Sequence, residues 1–312
     1  MNSLLFVCAI LLSAIVSPFI QKVFLIKKRY DQINHRSSHS VIATRTGGIS
    51  SFVIVFLISL FFYVNEQEIY DYSLLIPLSI MFVVGVYDDF YNADFKLKFF
   101  IQIIVSKILI DQGLVIDNFY GIFGLEEISR IFSQLFTVFV FLVIVNSINF
   151  IDGVDSLALI ETIKLLIIFE LISNGNSPFY YLTVIVIGTL IPLFYFNYKE
   201  KNKVFLGDSG SLFLGTLISI YVFNFLNYDT VFNYSYNKAI FSVVILLFPL
   251  TDLLRVFIIR ISKKQSPFHP DNNHLHHLLL KKNISHWKIG IILPLGFFLI
   301  SIIILFLITI FT

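Results

Sequence analysis

Charge is scarce in this sequence. Asp, Glu, Lys and Arg make up 13% of its 312 residues, about half of the roughly 25% that a soluble domain carries. With 57% hydrophobic residues, 36 Phe and a mean hydropathy of +0.86, a water-soluble globule is excluded. Glycine and proline are also few, at 14 and 8, which excludes a collagenous or disordered chain. Cysteine is limited to Cys8, so neither an internal disulfide framework nor a cysteine-based zinc site can form. No internal repeat, low-complexity linker or shift of composition marks a domain boundary, and 1–312 reads as a single transmembrane domain. The net charge of +2 says little; the positions of the charges say more.

What the sequence has in abundance is long apolar runs. A helix needs about 20 mostly apolar residues to cross a bilayer. Ten such runs lie near 3–26, 47–64, 73–87, 99–116, 131–148, 157–173, 178–196, 210–226, 239–259 and 289–311. None alternates with period 2, which argues against a β-barrel. The expected fold is all-α, a polytopic integral membrane protein with about ten transmembrane helices. The first run reads as a retained helix with its N-terminus outside, because Lys27, Lys28 and Arg29 follow it and none of its neighbours forms a small-residue cleavage pattern. Ten spans send the connecting segments alternately to two sides. Segments 22–46, 88–98, 149–156, 197–209 and 260–288 hold 17 of the 22 Lys and Arg, and the opposite side holds only Arg130 and Lys238. The positive-inside rule places the first set in the cytoplasm.

Polar residues gather at the ends of the runs on that side. Asp88 and Asp89 stand together in GVYDDF. Adjacent carboxylates near hydrocarbon repel and are costly, and a divalent cation or a cationic substrate path would offset that cost; ordinary loop acids are the bland alternative. NSINFIDGVDSLA crowds Asn146, Asn149, Asp152 and Asp155 into the link after the fifth run, with Gly153 open to close ligand approach. Two Asn and two Asp exceed what a turn and a helix N-cap require, Asp155 being the candidate cap. FLGDSGSLFLG sets Asp208 among Gly207, Ser209, Gly210 and Ser211 at the start of the eighth run. Such a helix start can face its N–H groups to an anion, or serve only as a capped, closely packed helix end. It lacks the GK[ST] ending of a P-loop. HPDNNHLHHLL supplies His269, Asp271, His274, His276 and His277, groups suited to metal, phosphate or proton transfer. Asp252 and Arg255 lie three apart in the ninth run, where they can pair, or Arg255 can meet a phosphate at the membrane face. Glu161 and Lys164 share that spacing and read as packing. All the clusters fall on one side, which argues for one composite site at the cytoplasmic face. Carboxylates and amides without thiolates suit a hard cation such as Mg²⁺, and Mg²⁺ with basic residues suits phosphoryl chemistry.

The full set resembles the polyprenyl-phosphate N-acetylhexosamine-1-phosphate transferases, polytopic enzymes that start bacterial cell-envelope glycans. The likeness runs from about Arg36 to His277 through five ordered motifs. RSSHSVIATRTGGI, with His39, Arg45, Gly47 and Gly48, resembles the family's first cytoplasmic loop. GVYDDF, followed by Lys98 and Gln102, resembles its aspartate-pair region. NSINFIDGVDSLA, VFLGDSGSLFLG and PFHPDNNHLHHLL complete the series. Thr46 after Arg45 and the HLHH spacing look more like the branch using UDP-N-acetylglucosamine or a related UDP-sugar than the branch that transfers phospho-N-acetylmuramoyl-pentapeptide. Ile42 and Thr44 stand where the family often has prolines, and Ser156 where its Asn-and-Asp loop has a second Gly.

The resemblance implies transfer of an N-acetylhexosamine 1-phosphate from a UDP-sugar to undecaprenyl phosphate with release of UMP, for O-antigen, teichoic acid or capsule. It implies Mg²⁺, with Mn²⁺ as the alternative, on Asp208 and Asn149. Asp88 is the expected catalytic carboxylate, supported by Asp89, with His274 and His276 beside them. His277 is expected at the donor phosphates, Asp152 and Asp155 at the nucleotide, and Phe205 stacked on uracil. Arg45, Lys98 and Arg255 are expected phosphate contacts. The expected partners are the UDP-N-acetylhexosamine, undecaprenyl phosphate and the lipid bilayer, with no nucleic acid; a homodimer is left open, as is the choice between direct attack and an aspartyl-phosphate intermediate. The expected location is the bacterial inner (cytoplasmic) membrane. A transporter or lipid flippase is the rival of a different class, and its site would lie near the membrane midplane between repeats.

Overall fold

In a bilayer each backbone N–H and C=O must be satisfied within its own segment or a closed barrel, and every apolar run is helical in the computed structural model. It describes residues 2–30, 42–124, 126–227, 237–268 and 271–311. In chain order the helices are α1 (Asn2–Ile26), α2 (Gly47–Val64), α3 (Leu75–Tyr91), α4 (Phe95–Asp111), α5 (Arg130–Ile151) and α6 (Leu157–Ile172). There follow α7 (Tyr180–Tyr198), α8 (Gly207–Asn227), α9 (Lys238–Ile245), α10 (Leu247–Ser262), α11 (Leu275–Lys281) and α12 (His286–Phe311). The one sheet among the described residues is a parallel pair, β1 (Ala43–Arg45) with β2 (Lys203–Phe205), which sets Arg45 opposite Phe205. The chain is an all-α, multi-pass membrane protein.

Seven helices are long and apolar enough to cross a membrane, or eight if α9 and α10 form one span. The expected number was about ten. The difference lies in α4 and α6, which are helical but only 17 and 16 residues long, whereas α3 is extended to 20 residues by the turn at Tyr72–Leu74, and in the ninth run. That run is not one straight helix: it breaks at Leu246 and turns by 73°. Pro249 accounts for the break. A proline ring clashes with the carbonyl four residues earlier and offers it no N–H, and here that carbonyl belongs to Ile245, the last residue of α9.

The central element is α8. Its apolar window is entirely buried, packed against α2, α3, α5, α6 and α9. Gly210, Ser211, Gly215, Thr216 and Ser219 keep its surface low, and small residues let membrane helices approach closely. Helix α3 approaches α8 closely at Gly85, where an added Cβ would lie 2.3 Å from the Asp208 carbonyl oxygen and 2.4 Å from Ser209 Cα. This contact lays the last turn of α3, with Asp88 and Asp89, on the first turn of α8. By contrast, α1 and α12 lie at the rim, mostly exposed.

Gly85→Ala is expected to push α3 off the α8 start, at a cost of about 1–3 kcal/mol for an overpacked contact. Its apparent unfolding temperature in detergent should fall, while Gly296→Ala, where a Cβ meets nothing within 4 Å, should leave it unchanged. Equal melting of the two variants would contradict this packing.

Candidate active site

A buried helix start leaves N–H groups that need acceptors. At α8 these are supplied by Asp89, whose Oδ1 accepts the Asp208 N–H at 3.0 Å and whose Oδ2 accepts the Ser209 N–H at 2.9 Å. The Asp89 side chain is 2% exposed, with Arg45 Nη1 at 3.7 Å from Oδ1. Its carboxyl is occupied in holding α8. Asp88, one residue earlier, faces differently: Oδ2 lies 2.5 Å from Lys98 Nζ, Oδ1 accepts the Ala93 N–H at 2.7 Å, and the carboxyl is within hydrogen-bond reach of that of Asp208. Lys98 reaches this point because Asp94 caps the start of α4, accepting the Lys96 N–H at 3.1 Å.

The end of α5 forms the next wall. Asn149 Nδ2 donates to Asp208 Oδ1 at 2.5 Å and to Ser211 Oγ at 2.8 Å, and Asn146 Nδ2 donates to Gln102 Oε1 at 2.8 Å. Asp152 follows at the α5 C-cap. Burial pushes its carboxyl well above the usual carboxylate range, and the carboxyls of Asp208 and Asp89 push the same way, against Arg45 and the Gly207 N–H. Four carboxyls, Asp88, Asp89, Asp152 and Asp208, thus share two cationic side chains, Lys98 and Arg45. Two carboxyls in contact need a shared proton or a cation between them. The excess of acid and the hard oxygen donors therefore fit a divalent cation such as Mg²⁺. Among the described residues no three His, Cys, Asp or Glu side chains converge as a closed metal cage. Mg²⁺ ordinarily takes only one or two carboxylates and fills its shell with water and substrate phosphates.

The histidines arrive on α11. His274 Nδ1 lies 2.7 Å from Asp252 Oδ2 on α10, and the His274 ring stacks on that of His276 at 5.5 Å. His276 is 2% exposed and neither ring nitrogen has a hydrogen-bond partner. It fits only because residue 153 is glycine, where a Cβ would lie 2.3 Å from its Nε2. Burial drives His276 well below the ordinary histidine value, helped by His277 and His274, and burial also lowers His277. Both rings are therefore neutral near pH 7 and would meet a phosphate as hydrogen-bond donors rather than as cations.

A cavity of about 540 Å³ opens over these groups. Lys98, Asn146, Asn149, Arg260 and His274 line it together with Phe95, Phe99, Phe150 and Phe268. Arg260 and the phenylalanines escaped the sequence reading. Arg260 is bidentate on Asp271, at 2.9 Å from Nε to Oδ2 and 3.1 Å from Nη2 to Oδ1, and it lies over the Phe150 ring. Burial alone would raise Asp271, but Arg260 and Asn273 hold its carboxyl below the usual range. The available signal was spacing: Asp252, Val256 and Arg260 recur every fourth residue and all are buried.

Three expected site residues are placed elsewhere. Asp155 is paired with Lys203 on β2, and Ser156 Oγ donates to Asn197 Oδ1 at 3.0 Å, so this part of the link fastens the loop. Ser156 has φ +61°, the left-handed conformation in which glycine is unstrained. Arg255 Nη1 donates to the Asn273 carbonyl at 2.6 Å and stands 3.7 Å from Asp252 Oδ1, where it braces the histidine loop. Phe205 ends β2 beside Arg45 and is not among the residues lining the cavity. His39 and His269 lie outside the described residues.

Residues 71–225 match the family model described as Glycosyl transferase family 4. The chain is 31% identical over 303 residues to a probable undecaprenyl-phosphate N-acetylglucosaminyl 1-phosphate transferase of Bacillus subtilis (strain 168), covering 95% of this chain and 82% of that protein. It is 27% identical over 283 residues to an undecaprenyl-phosphate alpha-N-acetylglucosaminyl 1-phosphate transferase of Yersinia pestis, covering 88% and 75%. A decaprenyl-phosphate N-acetylglucosaminephosphotransferase of Mycobacterium leprae is 28% identical over 287 residues, covering 83% and 72%.

Because Asp89 holds two amides of α8 and Asp88 none of them, Asp89→Ala should lower the unfolding temperature in detergent more than Asp88→Ala does. A lost cap costs about 1 kcal/mol or more. Melting curves that shift equally for the two would count against this division of labour.

Proposed function

We propose a specific reaction for this chain, which belongs to glycosyl transferase family 4 and is a membrane-bound sugar-phosphate transferase: it moves an N-acetylhexosamine 1-phosphate, N-acetylglucosamine 1-phosphate as first choice, from its UDP donor to undecaprenyl phosphate and releases UMP. Another UDP-N-acetyl sugar, such as a 6-deoxy-N-acetylhexosamine, is the alternative donor. The observation that carries this reading is the meeting of Asp88, Lys98, Asn149 and Asp208 beside a cavity lined by both polar and aromatic side chains. That cavity suits an acceptor with a charged head and an isoprenoid tail. Charge asymmetry supports a cytoplasmic face for it, in the bacterial inner membrane.

The acceptor is a phosphate monoester with a second pKa of about 6, so most of it is a dianion and needs little help from a base. The obstacle is the approach of two anions. Lys98 lies where the acceptor phosphate would enter, and the phenylalanines would hold the first isoprene units. Asp88 keeps Lys98 extended and orients the attacking oxygen. His276 and His277 would donate hydrogen bonds to the donor phosphates, His274 would face the phosphates through Nε2, and Asp152 would contact the nucleotide. Asp208 and Asn149 would hold Mg²⁺, which when bound screens phosphate charge and stabilises the charge that develops on the transferred phosphoryl group. The walls of aromatic rings keep bulk water from competing with the lipid as nucleophile.

Purified protein in detergent is expected to release UMP from one UDP-N-acetylhexosamine only when undecaprenyl phosphate and Mg²⁺ are both supplied. Release that ignores the lipid, or no release with any donor from folded protein, would reject the reading. Asp88→Asn and Asp208→Asn are each expected to lose at least about 10²-fold in turnover, the scale of one lost electrostatic contact to a transition state, while keeping the elution profile of folded protein. Lys98→Gln is expected to raise KM for the lipid about tenfold and to change KM for the UDP-sugar by less; the reverse pattern would move Lys98 to the donor side.

A further inference from the structure

At helical spacing Asp252 reads as the partner of Arg255, yet its closest partners lie elsewhere. Asp252 is 1% exposed. Its Oδ2 is 2.7 Å from His274 Nδ1, its Oδ1 accepts the Leu275 N–H at 2.7 Å, and Arg255 Nη1 stands off at 3.7 Å from Oδ1. We propose that Asp252 is a positioning residue that holds His274 as its Nδ1–H tautomer and reserves Nε2 for the substrate phosphates in the cavity. The inference deepens the transferase reading above and rests on it for the identity of the substrate.

The argument starts from what a carboxylate can do. It accepts hydrogen bonds and donates none, so the ring nitrogen facing Asp252 carries the proton. The neutral imidazole then has an unprotonated Nε2 on its opposite edge, on a ring that lines the cavity. The geometry is held from three directions. Phe150 meets the His274 ring edge-on at 5.5 Å, and the His276 ring stacks on it at 5.5 Å. Arg255 clamps the Asn273 carbonyl at 2.6 Å and Arg260 clamps Asp271. Those contacts already anchor the loop, and the Leu275 N–H takes only one Asp252 oxygen. The second oxygen has one neighbour, the histidine.

The tautomer gives His274 a defined task. The minor, singly protonated form of the acceptor phosphate breaks its O–H bond and passes the proton to Nε2. The imidazolium so formed faces the Asp252 carboxylate. After transfer, the same N–H bond breaks and the proton goes to the phosphate of departing UMP, which restores the neutral ring. No oxidant or further reactant is needed.

The test separates tautomer control from helix capping. Asp252→Asn keeps an oxygen for the Leu275 N–H but turns an NH₂ toward Nδ1, which then must accept. Protein labelled with ¹⁵N-histidine is expected to show His274, identified by the signal missing from His274→Asn, as Nδ1–H in the wild type and Nε2–H in Asp252→Asn. UMP release should fall in Asp252→Asn, and by more at about pH 6 than at about pH 8, because the singly protonated acceptor is the form that uses Nε2, with KM for the UDP-sugar changed less than about threefold. The double variant should be no slower than His274→Asn alone. An Nε2–H tautomer in the wild type, or losses that multiply in the double variant, would overturn the proposal. The wild-type spectrum decides even if Asp252→Asn fails to fold, and it needs no turnover. An inactive protein with the Nδ1–H tautomer would therefore reject the transferase reading alone.

Discussion

The start of α8 presents a problem that the rest of the site is built around. The helix is enclosed along its whole apolar length, and N–H groups at its first turn have no partners within the helix. In a membrane protein an unsatisfied amide is expensive, because no water replaces the lost bond. Asp89 meets the need with both oxygens. To do so, α3 must end against α8, and it can come that close because residue 85 has no side chain. Once Asp89 is fixed, its neighbour Asp88 is fixed beside Asp208, and the placing of this proposed catalytic pair is a by-product of a helix cap.

The second constraint acts across the cavity. The bend at Leu246 turns α10 away from the axis of α9. One face of α10 carries Asp252 and Arg260 toward the loop that ends in α11. The Arg260–Asp271 ion pair, the His274–Asp252 hydrogen bond and a helix cap then hold the histidines over the α5 end, where Gly153 makes room for His276. The site thus lies between two units, α3, α5 and α8 on one side and α10 with α11 on the other. An excess of acid on the first side faces Arg260 and the histidines on the second. The proposed substrates, both phosphates, fit between them with a cation to balance the acids.

Much of this was legible in the residues. The apolar runs named every long helix, because burial in lipid leaves the chain no other regular structure. Pro249 was visible, and its clash with Ile245 was predictable, yet an apolar average over 239–259 reads straight across it. The motifs also named Asp88, Asn149, Asp208 and the histidines, since such polar groups are costly in hydrocarbon. Their division of labour was not legible. Asp88 and Asp89 are identical and adjacent, and only the approach of α8 makes one a cap and leaves the other to Lys98. Asp155 looked equal to Asp152, but Lys203, 48 residues away, pairs with it. Arg255 looked like the phosphate contact and Arg260 like loop charge; in the fold both brace the histidine loop, Arg255 at the Asn273 carbonyl and Arg260 at Asp271.

By itself the sequence determined the class of the molecule, an all-α membrane protein with its polar groups at one end. Composition and periodicity act along the chain, and the bilayer reads them locally. It also carried the family, because the motifs keep their order and residue types. The tertiary structure decided which oxygen faces which proton: Asp89 on the α8 amides, Asp252 on His274, Arg260 on Asp271. Those choices depend on helix contacts between residues 11 to 120 positions apart, where a shift of one turn would exchange the partners, and no local pattern records them.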